Sequence, residues 1–337
     1  MIDLEWEFKE LYDVNYAIGV NSGTSALLTA LASIGVKEGD EVILPSFTFS
    51  APAYAIEQLG AICKFADIDA NTWNITAENI EPLITDKTAA IIVVHLYGLP
   101  ADMFEILRLA DSYNIPLIED CAEAFLSKID GVLAGTFGDM AIFSFEKSKH
   151  ISAGGGGMII TNNGRFARNA KSFSTLGYRP HVTKEELQNP DADRHYVMGY
   201  NFKLPEPCAE IALSKIRRAK EFVDFRIRNA MLYDEALPAK YQRQYVPSGF
   251  THTYWTYSFL LQFRSQYEKF RTEYINLGGH KFYAGWKCTP DEPFFRKKYK
   301  VSIPVARDIQ RRLVCLNTGL DIETTKVQAD ILKGVLQ

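Results

Sequence analysis

Short apolar, β-rich runs recur through the first half of the chain at Tyr16–Val20, Glu41–Leu44, Ile62–Ala66, Ala89–Leu96, Pro116–Ile118, Met140–Phe145 and Gly157–Thr161. Most are separated by segments that can form a helix. This alternation predicts an α/β architecture with a largely parallel sheet. One helix reads clearly from Thr24 to about Ile34, because Leu27, Leu28, Leu31 and Ile34 fall on one side and Gly35 supplies a stop. It follows Asn21-Ser22-Gly23 directly. After Pro205 the pattern changes: a long helical stretch from Glu206 to about Leu237 precedes an aromatic strand (Tyr254–Phe263), another helix, a strand near Lys281–Tyr283 and a terminal helix from Glu323. Two units are therefore expected, an α/β domain over 1–205 and, over 206–337, a connecting helix with a smaller α+β domain. Tyr178–Arg194, polar and holding two prolines, predicts a loop. No internal repeat or low-complexity segment interrupts the pattern.

Composition narrows the function. With 337 residues, 47% hydrophobic and 23% charged, the chain is that of a packed globular protein. Lys and Arg total 37 against 41 Asp and Glu, so the net charge of −4 offers no field for a nucleic acid. A small-molecule substrate is the better expectation. The five cysteines are odd in number and scattered, with no C-x-x-C pair, which points to a reducing cytoplasm rather than a disulfide framework or cysteine-rich zinc site. The opening MIDLEWEFKELYDVN is acidic where a signal peptide is basic, and the apolar run Ala89 to Val94 is far too short to span a bilayer, so no membrane partner is expected.

Three constellations carry candidate chemistry. Asn21-Ser22-Gly23-Thr24-Ser25 stands between an apolar strand and an apolar helix, where unpaired backbone N–H groups and small hydroxyls suit a phosphate. An ordinary N-cap uses the same residue types. Glu119-Asp120 closes the run Pro116-Leu117-Ile118, at the strand end where open α/β sheets place their ligands. A carboxylate there suits a cationic ring nitrogen or a metal, or simply caps the next helix; no cluster at metal spacing accompanies it, so no metal is expected. Ser144-Phe145-Glu146-Lys147-Ser148-Lys149-His150-Ile151, followed by Gly154-Gly155-Gly156-Gly157, sets lysines between a buried strand and a glycine turn. Partial desolvation there frees an amine for Schiff-base chemistry, whereas a solvated basic loop does nothing of the kind. A phosphate cradle, a carboxylate for a pyridinium and an amine for an aldehyde are together the parts of a pyridoxal phosphate enzyme.

The stretches NSGTSALLTAL, GDEVILPSFTFSAPAYAIEQLGA, HLYGLPADM, LIEDCAEAF, GTFGDMAIFSF, the lysine segment and GYNFKLPEPCAEIAL occur in this order. Over nearly its whole length the chain resembles the sugar aminotransferases of the DegT/DnrJ/EryC1/StrS family. The resemblance implies the aspartate aminotransferase-like architecture of fold type I pyridoxal phosphate transferases: a mostly parallel seven-stranded sheet sandwiched by helices, with a smaller C-terminal α+β domain. It implies pyridoxal 5'-phosphate as cofactor, with pyridoxamine 5'-phosphate as its aminated form. EDCAEAF followed by GTFGD is most similar to the branch that aminates C4 of a GDP-4-keto-6-deoxy sugar using L-glutamate.

Carried over residue by residue, the resemblance implies that Lys149, in S-F-x-x-x-K-x-I, holds the cofactor and serves as general base, while Lys147 is out of register. Asp120 pairs with the pyridine nitrogen, Phe49 stacks on the ring, and Gly23, Thr24 and Ser144 contact the phosphate, with Ser25 beside them. Glu123 stands near the ring hydroxyl, where many members have Gln or His. Asn201, in GYNF, matches an asparagine that reaches the phosphate of the neighbouring subunit's cofactor, which implies a homodimer with shared sites. Arg179, Arg194 and Lys203 are candidates for the substrate's diphosphate.

Three departures bear on the substrate. Family members carry an N-terminal helix and extended segment ahead of the point matching Met1, Gly155 replaces the glutamate of G-E-G-G, and YAGWKCTP (283–290) lacks a histidine found in many members. Two rivals stay open: a pyridoxamine-dependent sugar 3-dehydratase, whose relatives replace the lysine with histidine and for which His150 is the candidate, and a catalytically silent sugar-nucleotide-binding relative.

Overall fold

The computed structural model describes residues 2–179, 183–282 and 284–337. Seven strands form one sheet in the order Tyr16–Val20, Gly157–Thr161, Met140–Ser144, Leu117–Asp120, Thr88–Val94, Glu41–Pro45 and Ile62–Ala66. Each corresponds to one of the seven apolar runs. The five from Met140–Ser144 to Ile62–Ala66 pair in parallel, and Gly157–Thr161 runs antiparallel to both of its neighbours. Helices cover both faces: Leu27, Leu28, Leu31 and Ile56 pack on one, Ile106 and Ala110 on the other. Burial on both sides explains why these strands read as continuous apolar runs rather than alternating ones.

The strand starting at Leu117 runs two residues beyond the expected Ile118, so Glu119 and Asp120 belong to it and point to opposite faces. The Thr88–Val94 strand stops short of Leu96, because Leu96–Gly98 is a 3₁₀ turn with Tyr97 at φ 59°.

Other elements correct the sequence reading. Ile2–Tyr12 is a helix whose Leu4, Phe8 and Tyr12, spaced four apart, bury one stripe against Phe125, Phe143 and Phe145. The expected single helix 206–237 is two, Glu206–Ile216 and Ala219–Ala236. The break at Arg217-Arg218 lets the first pack with Leu4 and Phe8 while the second reaches Leu332 and Leu336. Arg217 is held at the break by Glu7, 2.7 Å away. Within the expected loop 178–194 lies a short helix, Lys184–Gln188, closed by a Thr183/Glu186 capping box. Lys281 and Phe282 are not in a strand, and Tyr283 lies outside the described residues. The antiparallel C-terminal sheet instead comprises Gln242–Arg243, Thr256–Leu260 and Leu313–Asn317, backed by the helices Tyr267–Asn276 and Ile322–Leu336.

The two halves meet through an apolar cluster that brings Phe47, Trp73 and Tyr97 against Trp255, Ile309 and Leu313. Among the described residues no helix is long and apolar enough to cross a membrane.

Candidate active site

A cavity of about 430 Å³ opens at the C-terminal ends of the parallel strands, where Val94, Asp120, Ile142 and Ser144 reach its wall. Gly23, Thr24, Phe49, Asp120, Glu123, Ser144 and Lys149, all expected as site residues, line it together. The Gly23–Ile34 helix aims its N-terminus at this wall, and such a terminus leaves backbone N–H groups for an anion. A Cβ at Gly23 would come within 2.9 Å of Ser144 Cβ, so glycine lets the helix start close to the strand end. Ser25 is not on the wall. Its hydroxyl donates to Asn21 Oδ1 (2.7 Å) and its amide to Ser22 Oγ (3.0 Å), so it braces the cap.

Glu119 and Asp120 separate cleanly. Glu119 is fully buried away from the cavity and accepts from the amides of Gly135, Phe137 and Gly138 at 2.7–2.8 Å. His95 Nε2 lies 3.0 Å from Glu119 Oε2, while His95 Nδ1 accepts from the Ala101 amide at 3.1 Å, which places the ring proton on Nε2. Although His95, Glu119 and Cys121 lie close enough to suggest a metal, these hydrogen bonds already occupy the histidine and the carboxylate. Asp120, in contrast, faces the cavity with one backbone donor, Ala122 N at 3.0 Å. Burial, opposed by that hydrogen bond and reinforced by nearby Glu123, pushes its pKa up to about 6. A desolvated carboxylate short of donors is suited to a cationic ring nitrogen.

Lys147 and Lys149 both reach the wall, but Lys147 is exposed and Lys149 is not. The Lys149 Nζ lies 3.4 Å from Glu123 Oε1 and 4.0 Å from the centre of the Trp255 ring. Glu123 also accepts from the Tyr97 amide at 3.1 Å. The Glu146 carboxyl, despite desolvation, is held below its ordinary value by the hydroxyl and amide of Ser148. His150 points elsewhere: Nε2 donates to the Thr253 carbonyl at 2.9 Å, and burial followed by the Arg226 charge keeps it neutral.

The sequence reading missed two wall residues supplied by the C-terminal half, Trp255 and Trp286, whose rings stack at 5.6 Å and 14°. Phe49 packs against Trp286 at 5.2 Å yet remains 55% exposed, so a face is open to a ligand. Besides Ser25, four expected residues lie off this wall. Asn201 is exposed and bridges the backbone of Thr175, next to Phe202, whose carbonyl accepts from Asn21 N at 2.8 Å. Arg179 pairs with Glu186, Arg194 Nη2 donates to the Asn189 carbonyl at 3.3 Å, and Lys203 is exposed beside Val20.

Within the glycine run, a Cβ at Gly157 would meet the carbonyls of Ser22 and Phe143 at 2.7 and 2.8 Å, whereas one at Gly155 meets nothing within 4 Å. Gly157→Ala is therefore expected to cost about 1–3 kcal/mol by overpacking. Gly155→Glu should stay within about 0.5 kcal/mol of the parent, as for an open surface position. Urea unfolding of the two variants checks the contrast.

An aldehyde-accessible amine, a buried carboxylate and a helix N-terminus around one cavity fit pyridoxal phosphate, and this donor set on this sheet defines a fold type I transferase of that cofactor. The profile of the DegT/DnrJ/EryC1/StrS aminotransferase family matches residues 2–334, and the chain belongs to that family as a pyridoxal phosphate-dependent aminotransferase. GDP-perosamine synthase of Escherichia coli O157:H7 is 39% identical over 267 residues, covering 79% of this chain and 71% of its own. A UDP-N-acetyl-3-dehydro-alpha-D-glucosamine 3-aminotransferase of Acidithiobacillus ferrooxidans is 38% identical over 263 residues, covering 77% of this chain and 68% of its own. An aminotransferase structure from Psychrobacter cryohalolentis superposes with a TM-score of 0.89 at 28% identity, covering 99% of this chain and 90% of the other.

Proposed function

We propose that the protein transfers the amino group of L-glutamate to the keto group of a nucleotide-linked keto-deoxy sugar. The preferred acceptor is C4 of a GDP-4-keto-6-deoxy sugar, and the product is an amino sugar for surface glycans such as lipopolysaccharide O-antigen. The observation that carries this reading is the convergence of the Lys149 amine and the desolvated Asp120 carboxyl on one cavity. The identity of 39% to a GDP-perosamine synthase supports the choice of sugar nucleotide. We further propose that 1–205 and 206–337 are the two domains, each with its own sheet, and that the enzyme works in the cytoplasm as a homodimer.

When bound, pyridoxal phosphate supplies an electron sink for the carbanion formed at the amino acid's α-carbon. Gly23, Thr24 and Ser144 would hold its phosphate, Ser25 braces that cradle, and Phe49 would cover the ring face. Asp120 keeps a proton on the ring nitrogen; a cation placed beside this carboxyl brings its pKa back down. Glu123 would face the ring hydroxyl and orients Lys149, whose Nζ would take and return the proton at the reacting carbon. The dehydratase alternative needs a histidine at the lysine's place, and His150 is turned to Thr253 instead. Arg179 and Arg194 are engaged off this wall, by Glu186 and by the Asn189 carbonyl.

The acceptor is tested by supplying glutamate with either GDP-4-keto-6-deoxymannose or the UDP-linked 3-keto N-acetylglucosamine and following the mass of the product. Amination of the GDP sugar is expected. Turnover of the UDP sugar alone would overturn the choice.

Asn201 tests the assembly. The family resemblance, with Asn201 off its own chain's cavity, supports a contact to the other subunit's phosphate. Asn201→Ala should remain dimeric and bind cofactor more weakly, by about tenfold or more, because a hydrogen bond to a charged group contributes about 1.5–3 kcal/mol. Mixing Asn201→Ala with Lys149→Ala subunits should restore activity, since one site of the heterodimer then carries both lesions and the other neither. Recovery no greater than that of the Asn201→Ala homodimer alone would rule out shared sites.

A further inference from the structure

We propose that Trp255 is a positioning residue for Lys149, acting through both its ring face and its indole N–H. The inference rests on Lys149 being the cofactor lysine. Two bonds fix the backbone immediately ahead of that lysine: the Ser148 carbonyl accepts from Trp255 Nε1 at 2.9 Å and from Arg226 Nη2 at 3.0 Å. Arg226 Nη1 in turn donates to the Trp255 carbonyl at 2.9 Å and to Thr318 Oγ1 at 3.1 Å. Trp255 is thus tied at its ring nitrogen to the lysine loop and at its backbone carbonyl to the helix Ala219–Ala236. Its face lies 4.0 Å from Lys149 Nζ, well inside the roughly 6 Å over which an aromatic ring attracts an ammonium. Glu123 Oε1 lies 3.4 Å from the same nitrogen.

Arg226 is half-buried among these acceptors, and desolvation lowers its pKa to about 10. Its hydrogen-bond partners among the described residues are two carbonyls and a hydroxyl, and none is a carboxylate. These hydrogen bonds offset the cost of desolvating the cation. The clamp joins segments more than one hundred residues apart, so the C-terminal half sets where the amine sits relative to Asp120 and the strand ends. Displacement of a reacting group by about 1 Å can cost on the order of a hundredfold in rate.

The test uses this whole chain, freed of cofactor and then given pyridoxal 5'-phosphate. Capture joins Lys149 nitrogen to the aldehyde carbon, and the aldehyde oxygen leaves as water. The readouts are the rise of the visible absorbance band, its circular dichroism, and borohydride trapping with peptide mapping. Trp255→Leu, which removes both ring and N–H, should slow capture about tenfold to a hundredfold and change the visible circular dichroism. Trp255→Phe, which keeps an aromatic face without the donor, should fall between Trp255→Leu and the parent. Melting of the cofactor-free proteins separates this from a packing role, which lowers Tm while leaving the capture rate and dichroism of the folded protein at parental values. Such parental values in Trp255→Phe and Trp255→Leu overturn the proposal, and Trp255→Phe alone decides where Trp255→Leu does not fold. Trapping in the parent at a lysine other than Lys149 overturns the underlying assignment instead, a failure visible before any Trp255 variant is made.

Discussion

Lys149→Ala should lose the visible band of the bound cofactor and all measurable transamination, while Lys147→Ala should retain both. The two lysines are two residues apart and both reach the cavity, yet they differ physically. The Lys149 side chain is 13% exposed, with its Nζ held between the Glu123 carboxylate and the Trp255 ring; Lys147 is solvated. An ammonium free in water has no fixed geometry toward an aldehyde, whereas one held between a carboxylate and a ring has. Loss of a covalent attachment and a general base together is expected to cost at least ten-thousandfold in turnover, because base catalysis alone contributes about 10²–10⁴. Absorbance titration with pyridoxal phosphate and a coupled assay for 2-oxoglutarate check both variants. An inactive Lys147→Ala beside an active Lys149→Ala would reverse the assignment.

Asp120→Asn should separate stability from activity. In the cofactor-free protein the Asp120 pKa is raised from 3.8 to about 6, mainly by burial, so its ionised form is destabilising. That penalty is present in full above pH 6 and disappears as pH falls below about 4, where the carboxyl is neutral both folded and unfolded. At roughly 1.4 kcal/mol per pKa unit it amounts to about 3 kcal/mol. Asp120→Asn should therefore melt higher than the parent at pH 7.5 when both lack cofactor, and the difference should vanish near pH 4. Turnover should fall by about a hundredfold or more, because an amide cannot stabilise the proton on the ring nitrogen. A variant that turns over like the parent would remove Asp120 from the mechanism, and an unchanged melting temperature at pH 7.5 would remove the desolvation argument.

Much of the fold was legible because the central strands are buried on both faces: runs such as Ile91-Ile92-Val93-Val94 are apolar without alternation and signal their place directly. The helix Ile2–Tyr12 is equally legible in the four-residue spacing of Leu4, Phe8 and Tyr12. The break after Ile216 was not, since Arg217 and Arg218 are good helix formers and tertiary packing overrides their propensity.

In the site, residues close in sequence were readable and residues distant in sequence were not. Asp120 and the lysine segment lie at strand ends, where the chain position implies the location. The period-two alternation that assigns Asp120 to the cavity and Glu119 to the opposite side becomes decisive only once both are known to lie within the strand. Trp255 carries no local signal. Its meaning comes from Ser148 and Lys149, more than one hundred residues away, and from Arg226, which holds it there. Asn201 has its proposed partner on a second copy of the chain, so one chain alone does not bring it to the cavity.

The account stands most directly on one spectroscopic titration. The purified protein is loaded with pyridoxal 5'-phosphate, glutamate is added, and the GDP-linked 4-keto-6-deoxy sugar follows. The visible band is expected to appear on loading, bleach with glutamate as 2-oxoglutarate accumulates in equal amount, and return when the keto sugar is supplied. A band that glutamate leaves untouched, or one that bleaches and does not return with any nucleotide-linked keto sugar, would contradict it.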